Sequence, residues 1–221
     1  MKGAIFDLDG TLVDSNDLHV QAWQETFRHF GKEFPAAELR QQIGKGGDQY
    51  LPVFLTEREL REIGPEVEKF RGTLFKEKYL ERVRPFPEVR ELFERVRGAG
   101  TRIALASSGN EHEIVHYVKL LEVGDLIEAQ TTKSDVQHSK PAPDVFLRAL
   151  NLLQLSPPDA IAIGDTPYDV VAAKKIELRT IGFLCGGFME DELRAAGAIA
   201  IYRDPANLRA SYLRSPMSGP G

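Results

Sequence analysis

Asp7 and Asp9 stand two residues apart at the end of the short apolar run "GAIF", and Gly10 and Thr11 follow directly. Two carboxylates so close repel, and burial raises the pKa of at least one of them. Either the run stops in solvent and the pair is idle, or a cation is meant to sit between them. Further along come Ser107-Ser108-Gly109-Asn110, Ser139-Lys140-Pro141 and Gly164-Asp165-Thr166-Pro167-Tyr168-Asp169. Together these clusters offer carboxylates, hydroxyls and an ammonium, an inventory suited to handling phosphate. Hard oxygen ligands from Asp7 and Asp165 suit Mg²⁺, which prefers six oxygens and keeps several waters. With Mg²⁺ and Lys140 at hand, Asp7 stays ionised and can approach an anionic phosphate. Ser107 and backbone N–H groups would hold the phosphoryl oxygens. Asp9 would then protonate the leaving oxygen and later activate water.

Such clusters need a scaffold that brings them to one edge. The apolar runs over 3–6, 102–107, 127–132, 160–164, 180–184 and 198–202 are near-continuous rather than alternating. That is the pattern of strands covered on both faces. Helix-like stretches such as "FPEVRELFERVRGAG", "EHEIVHYVKLLEVG" and "APDVFLRALNLL" lie between them, and Gly98 and Gly100 suit a helix stop. The expected class is therefore α/β, a Rossmann-like parallel sheet flanked by helices, with ligands gathered beyond the carboxyl ends of the strands. Between 16 and 84 no strand is predicted, and "LHVQAWQETFRHFG" and "EVEKFRGTLFKEKYLERV" read as helices. We expect a catalytic core of residues 1–15 and 85–213 and an inserted all-helical cap over 16–84, which opens for substrate and excludes water. The Pro/Gly/Ser-rich tail over 214–221 is expected to be disordered.

Composition narrows the classes. The chain of 221 residues, 42% hydrophobic and 28% charged, suits a core domain with a smaller insert. A net charge of −5 argues against a broad nucleic-acid-binding surface. There is no apolar run of membrane-spanning length, and the "AIF" run is too short for a signal-peptide core. Cys185 is the only cysteine, which excludes an internal disulfide and a cysteine-rich metal site. The expected setting is cytoplasmic, the expected partner a small phosphorylated metabolite, and the expected state a monomer or weak homo-oligomer.

In this order, "FDLDGTLVDS", "ALASSGN", "HSKPAPDVF" and "AIGDTPYDVVAA" resemble the four signature motifs of the haloacid dehalogenase superfamily, and the helical insert fits its helical-cap branch. The resemblance implies that Asp7 is a nucleophile forming an aspartyl-phosphate and also a metal ligand. It implies that Asp9 is the general acid/base and gives its backbone carbonyl to the metal. Ser107, with Ser108, would hold the phosphoryl group, and Lys140 would offset the charge of Asp7 and phosphate. Asp165 would bind the metal; Asp169 would bind it through water or orient Lys140. The branch includes sugar-phosphate mutases with a similar His-x-x-Ala-Trp segment, so His19 is either a substrate-side group or a packing partner of Trp23 on one helix face. Lys45, in "IGKGGDQ", either reaches the phosphate or is solvated in a turn between cap helices.

Asp9 also sorts reaction classes, because the superfamily's dehalogenases lack an acid at that position and its phosphonate-cleaving members usually carry Ala. The expected activity is Mg²⁺-dependent hydrolysis of a small organic phosphate monoester, such as a sugar phosphate or a phosphoglycolate-like metabolite. The alternatives are a β-phosphoglucomutase-like sugar phosphomutase and a catalytically silent phosphate-binding module. The silent module would be expected to have lost one of Asp7, Asp9, Lys140 or Asp165.

Overall fold

The computed structural model describes residues 1–107 and 109–218. Ser108, expected to help hold phosphate, lies outside the described residues, as does the end of the tail over 219–221. Six strands, β1 (Gly3–Phe6), β4 (Arg102–Ala106), β5 (Ala129–Thr131), β6 (Ala160–Gly164), β7 (Arg179–Phe183) and β8 (Ala200–Tyr202), form one sheet. Its order is β5-β4-β1-β6-β7-β8, and every pairing is parallel. The expected α/β class is what the fold shows.

Alternation along β1 decides what each face holds. Ala4 and Phe6 join Ile103, Leu105, Ile161 and Ile163 on one face, under α5 (Val89–Gly98) and α6 (Glu111–Leu121). Ile5 joins Ala104, Ala106, Ala160 and Ala162 on the other, under α7 (Asp144–Leu153) and α8 (Pro167–Lys174). Small alanines on that second face let α7 lay Val145, Phe146, Ala149 and Leu150 directly on the strands. Phe6 pairs with Leu105 and with Ile163, so the carboxyl ends of β1, β4 and β6 finish side by side.

Residues 16–82 contain no strand. They form α1 (Asn16–His29), α2 (Ala36–Arg40), α3 (Gly47–Phe54) and α4 (Glu57–Leu74), and α4 runs on through a widened turn at Phe75–Tyr79. Their apolar faces make a separate cluster that includes Val20, Trp23, Phe27, Leu39, Tyr50 and Val67. The chain enters and leaves this segment through a two-stranded antiparallel ribbon, β2 (Val13–Asp14) against β3 (Arg84–Pro85), which the sequence reading did not foresee. α4 begins with a capping box in which Thr56 and Glu59 satisfy each other's backbone N–H groups. None of the described helices is long and apolar enough to cross a membrane.

The described part of the tail, over 214–218, lies against the core. Ser215 and Met217 are buried, and Met217 packs into the cluster that covers the α5 face of the sheet. One apolar side chain in a Pro/Gly/Ser-rich stretch is enough to anchor it. Met217→Ala is expected to cost about 2–5 kcal/mol, the usual range for truncating a buried Met. Urea unfolding checks this, and an unchanged midpoint would show that the contact contributes nothing.

Candidate active site

The parallel register gathers the sequence clusters at one edge. Asp7 follows β1 and donates its backbone N–H to the Ile163 carbonyl, 2.9 Å away. Asp165 follows β6, and Asp169 lies in the first turn of α8, where its Oδ2 accepts from the Thr166 N–H and hydroxyl at 3.1 and 2.7 Å. That is a capping role, and its other oxygen is turned to different use. Lys140 Nζ lies 2.5 Å from Asp7 Oδ1 and 2.7 Å from Asp169 Oδ1, with all three side chains buried. Asp169 thus contacts Lys140 directly.

Asp7, Asp165 and Asp169 each bring a carboxylate oxygen to within 4.8 Å of the others. Thr11 Oγ1 donates to Asp165 Oδ1 at 2.8 Å, and Asn16 Nδ2 to Asp165 Oδ2 at 2.9 Å. Burial pushes the Asp7 carboxyl well above its usual range; Lys140 pulls it back, and the charges of Asp169 and Asp165 push it up again. Asp165 is raised to about 7, by burial first and then by Asp169. Burial alone would push Lys140 down, but Asp169 and Asp7 outweigh it and hold the ammonium above its ordinary value.

Three buried carboxylates facing one ammonium leave an excess of negative charge that burial makes costly. The donor set consists of oxygens, as hard divalent cations prefer. Asn16 Oδ1, beside Asp165, is buried with no hydrogen-bond partner among the described residues. Glycines keep the surroundings tight: a Cβ at Gly186 would lie 1.7 Å from Asp165 Oδ2, and one at Gly10 would lie 2.3 Å from it. These residues fit a divalent cation held by Asp7, Asp165 and Asp169.

Asp9 stands apart from that cluster. Its Oδ1 accepts from Ser15 Oγ at 2.7 Å and lies 2.8 Å from His19 Nε2. Burial would raise its pKa, but His19, Ser15 and the charge of Arg71 together hold it down at about 2. His19 is buried, stacks on Phe75 with ring centroids 4.1 Å apart, and touches Arg71 through Nδ1. Its polar contacts are thus with Asp9 and Arg71, which the sequence reading did not foresee. Ser107 is buried, and its Oγ accepts from the Gly109 N–H at 3.0 Å.

Asp7, Asp9, His19, Lys45, Ser107 and Lys140 all line one cavity of ≈ 520 Å³. Lys45 is half-buried, with Nζ 4.6 Å from the Tyr168 ring centroid and 2.5 Å from Gln42 Oε1. Its loop is seated on the core, for the Gly46 N–H donates to Ser139 Oγ at 2.9 Å and Asp48 accepts from the Ser139 N–H at 3.0 Å. Thr11, Ser15, Asn16 and Arg71 were missed by sequence reasoning. Thr11, Ser15 and Asn16 had a usable signal in their closeness to Asp7 and Asp9, whereas Arg71 is one cation among many on α4.

A family model described as haloacid dehalogenase-like hydrolase matches residues 4–183. A phosphorylated carbohydrates phosphatase from Thermotoga maritima is 27% identical over 207 residues, covering 92% of this chain and 94% of its own. The protein CbbY of Rhodobacter capsulatus is 32% identical over 198 residues, covering 82% and 84%. Among solved structures, a hydrolase from Pseudomonas syringae superposes with a TM-score of 0.88 at 28% identity, covering 96% of this chain and 97% of that one. With the motifs assembled on the matching fold and most of its length within the family model, the chain belongs to the haloacid dehalogenase-like hydrolases.

Proposed function

We propose that this hydrolase is a Mg²⁺-dependent phosphatase that cleaves a small organic phosphate monoester through an aspartyl-phosphate on Asp7. The observation that carries the reading is buried Asp7 in contact with Lys140 and within 4.8 Å of the Asp165 and Asp169 carboxylates, at a cavity that Asp9 also lines. Similarity to proteins named phosphorylated carbohydrates phosphatase and phosphoglycolate phosphatase supports it.

Mg²⁺ bound by Asp7, Asp165 and Asp169 would supply charge compensation for an arriving phosphate. Lys140 adds a fixed positive charge on Asp7, and Ser107 stands at the cavity wall to bind a phosphoryl oxygen. An Asp7 oxygen attacks phosphorus in line, forming the new P–O bond as the ester P–O bond breaks. The leaving alkoxide takes its proton from Asp9, which must carry one at that moment. In the second half Asp9 is the carboxylate again and removes a proton from water, whose oxygen attacks phosphorus as the Asp7 O–P bond breaks, freeing inorganic phosphate and the Asp7 carboxylate. Contact with His19 favours the Asp9 carboxylate, so proton uptake for the first half requires Asp9 to leave that contact. We assign residues 16–84 as a cap that shuts water out during the first half, with 1–15 and 85–213 as the core. The hydrogen bond from the Tyr168 hydroxyl to the Gln41 carbonyl, 2.6 Å long, joins with the Ser139 contacts of Gly46 and Asp48 to hold it shut.

Purified protein supplied with Mg²⁺ is expected to release phosphate from p-nitrophenyl phosphate and from members of a panel of phosphorylated metabolites. Asp7→Asn should lower the rate by at least about a thousandfold, as loss of a nucleophile does; a variant near wild-type rate would remove the covalent route. Conversion of a sugar 1-phosphate to its 6-phosphate without net phosphate release would move the reading to a phosphomutase. In Asp9→Asn, turnover of alkyl phosphates should fall about a hundredfold or more. The loss should be smaller for p-nitrophenyl phosphate, whose leaving group needs little protonation. Equal losses on both substrates would remove the acid role from Asp9.

A further inference from the structure

The charges of the cavity wall carry information about the part of the substrate that departs. Setting aside Asp7, Asp9, Lys140 and the histidines, the charged lining consists of Lys45, Lys69, Arg71, Lys76 and Lys133 against Glu68 and Glu113. Lys133 is paired with Glu68. Arg71 meets Glu113 only loosely, at 3.9 Å. Among the described residues, Lys45 has Gln42 and the Tyr168 ring as neighbours rather than a carboxylate, and burial pushes its pKa down.

Arg71 is the best placed of these cations. Its guanidinium lies over the rings of Trp23 and Phe75, 5.5 and 4.9 Å from their centroids, which fixes its plane. The side chain is only 15% exposed, yet Nε is buried with no hydrogen-bond partner among the described residues. A guanidinium has five N–H donors, so one loose carboxylate and one histidine contact leave it short of acceptors. Even with Asp9 counted, whose pKa the charge of Arg71 helps to lower, these five cations face three carboxylates, so an anionic leaving group would offset positive charge that a neutral one leaves unmatched.

We propose that the leaving group of the substrate carries a second negative charge, a carboxylate or a further phosphate, and that Arg71 selects for it. The planar fork of Arg71 suits either anion, which share this recognition chemistry. This assignment rests on the phosphatase reading above and narrows it to phosphorylated acids and bisphosphates.

Matched substrates test it by phosphate release with Mg²⁺ present. 3-Phosphoglycerate against glycerol 3-phosphate tests the carboxylate, fructose 1,6-bisphosphate against fructose 1-phosphate tests the second phosphate, and p-nitrophenyl phosphate reports turnover. In at least one pair, kcat/KM should favour the doubly anionic member by about tenfold to a hundredfold, the worth of a hydrogen bond to a charged group. That pair identifies the anion. The ratio should fall toward one in Arg71→Met and stay between the Met variant and wild type in Arg71→Lys, which keeps the charge but loses the planar fork. Equal kcat/KM within both pairs, with phosphate released, overturns the charge preference and leaves the phosphatase reading standing. A preference undiminished in Arg71→Met overturns the assignment to Arg71. No release from any of these substrates overturns both readings.

Discussion

Lys140 Nζ sits 2.5 Å from Asp7 and 2.7 Å from Asp169, and no side chain of the three is more than 6% exposed. Burying an ammonium with a single carboxylate is close to neutral at best, and removing either partner of such a pair costs about 3–5 kcal/mol. Here Asp165 adds a further carboxylate, so the lysine alone does not balance the cluster. The arrangement is held because each group is fixed from outside. Asp169 is tied to the first turn of α8, Asp165 receives Thr11 and Asn16, and Asp7 is set by the hydrogen-bonded end of β1. The remaining negative charge is the physical reason a divalent cation fits.

Asp7 and Asp9 are two residues apart in sequence and in opposite electrostatic surroundings. Asp7 faces other carboxylates, which push its pKa up, whereas Asp9 faces His19 and Ser15 and is held at about 2. Residues two apart on a continuing strand would face the same way, but β1 ends at Phe6 and the chain turns at Gly10, so two like residues are given different surroundings. Environments that separate two titratable groups in this way are a recurring sign of divided roles. His19 belongs to α1 and Asp9 to the core, so the state of Asp9 depends on how the helical segment is seated.

The sheet was legible because strands covered on both faces leave unbroken apolar runs. β1 and β6 match their runs at both ends, while β5, at the sheet edge, is paired only over Ala129–Thr131 of the longer run 127–132. The β2–β3 ribbon was invisible, since two residues per strand carry no periodicity. Met217 was hidden by the composition of its neighbours. Asp7 and Asp165 could be placed because they directly follow strands, and Lys140 and Asp169 because they lie in the segments that follow β5 and β6. The contact of His19 with Asp9 could not be read, because helical spacing gives a residue its face but not what the other segment presents to it. Arg71 was lost for the same reason, although its aromatic supports, Trp23 and Phe75, were both visible as apolar helix positions.

The account stands on a buried carboxylate cluster that one lysine leaves incompletely balanced. The most direct measurement is the thermal unfolding midpoint of the wild type and of Asp165→Asn across a Mg²⁺ titration. A cation that binds only the folded state raises the midpoint as its concentration rises above Kd. The account predicts that rise in the wild type and a much smaller one in Asp165→Asn. A wild-type midpoint that Mg²⁺ does not move, or an equal rise in both proteins, would contradict it.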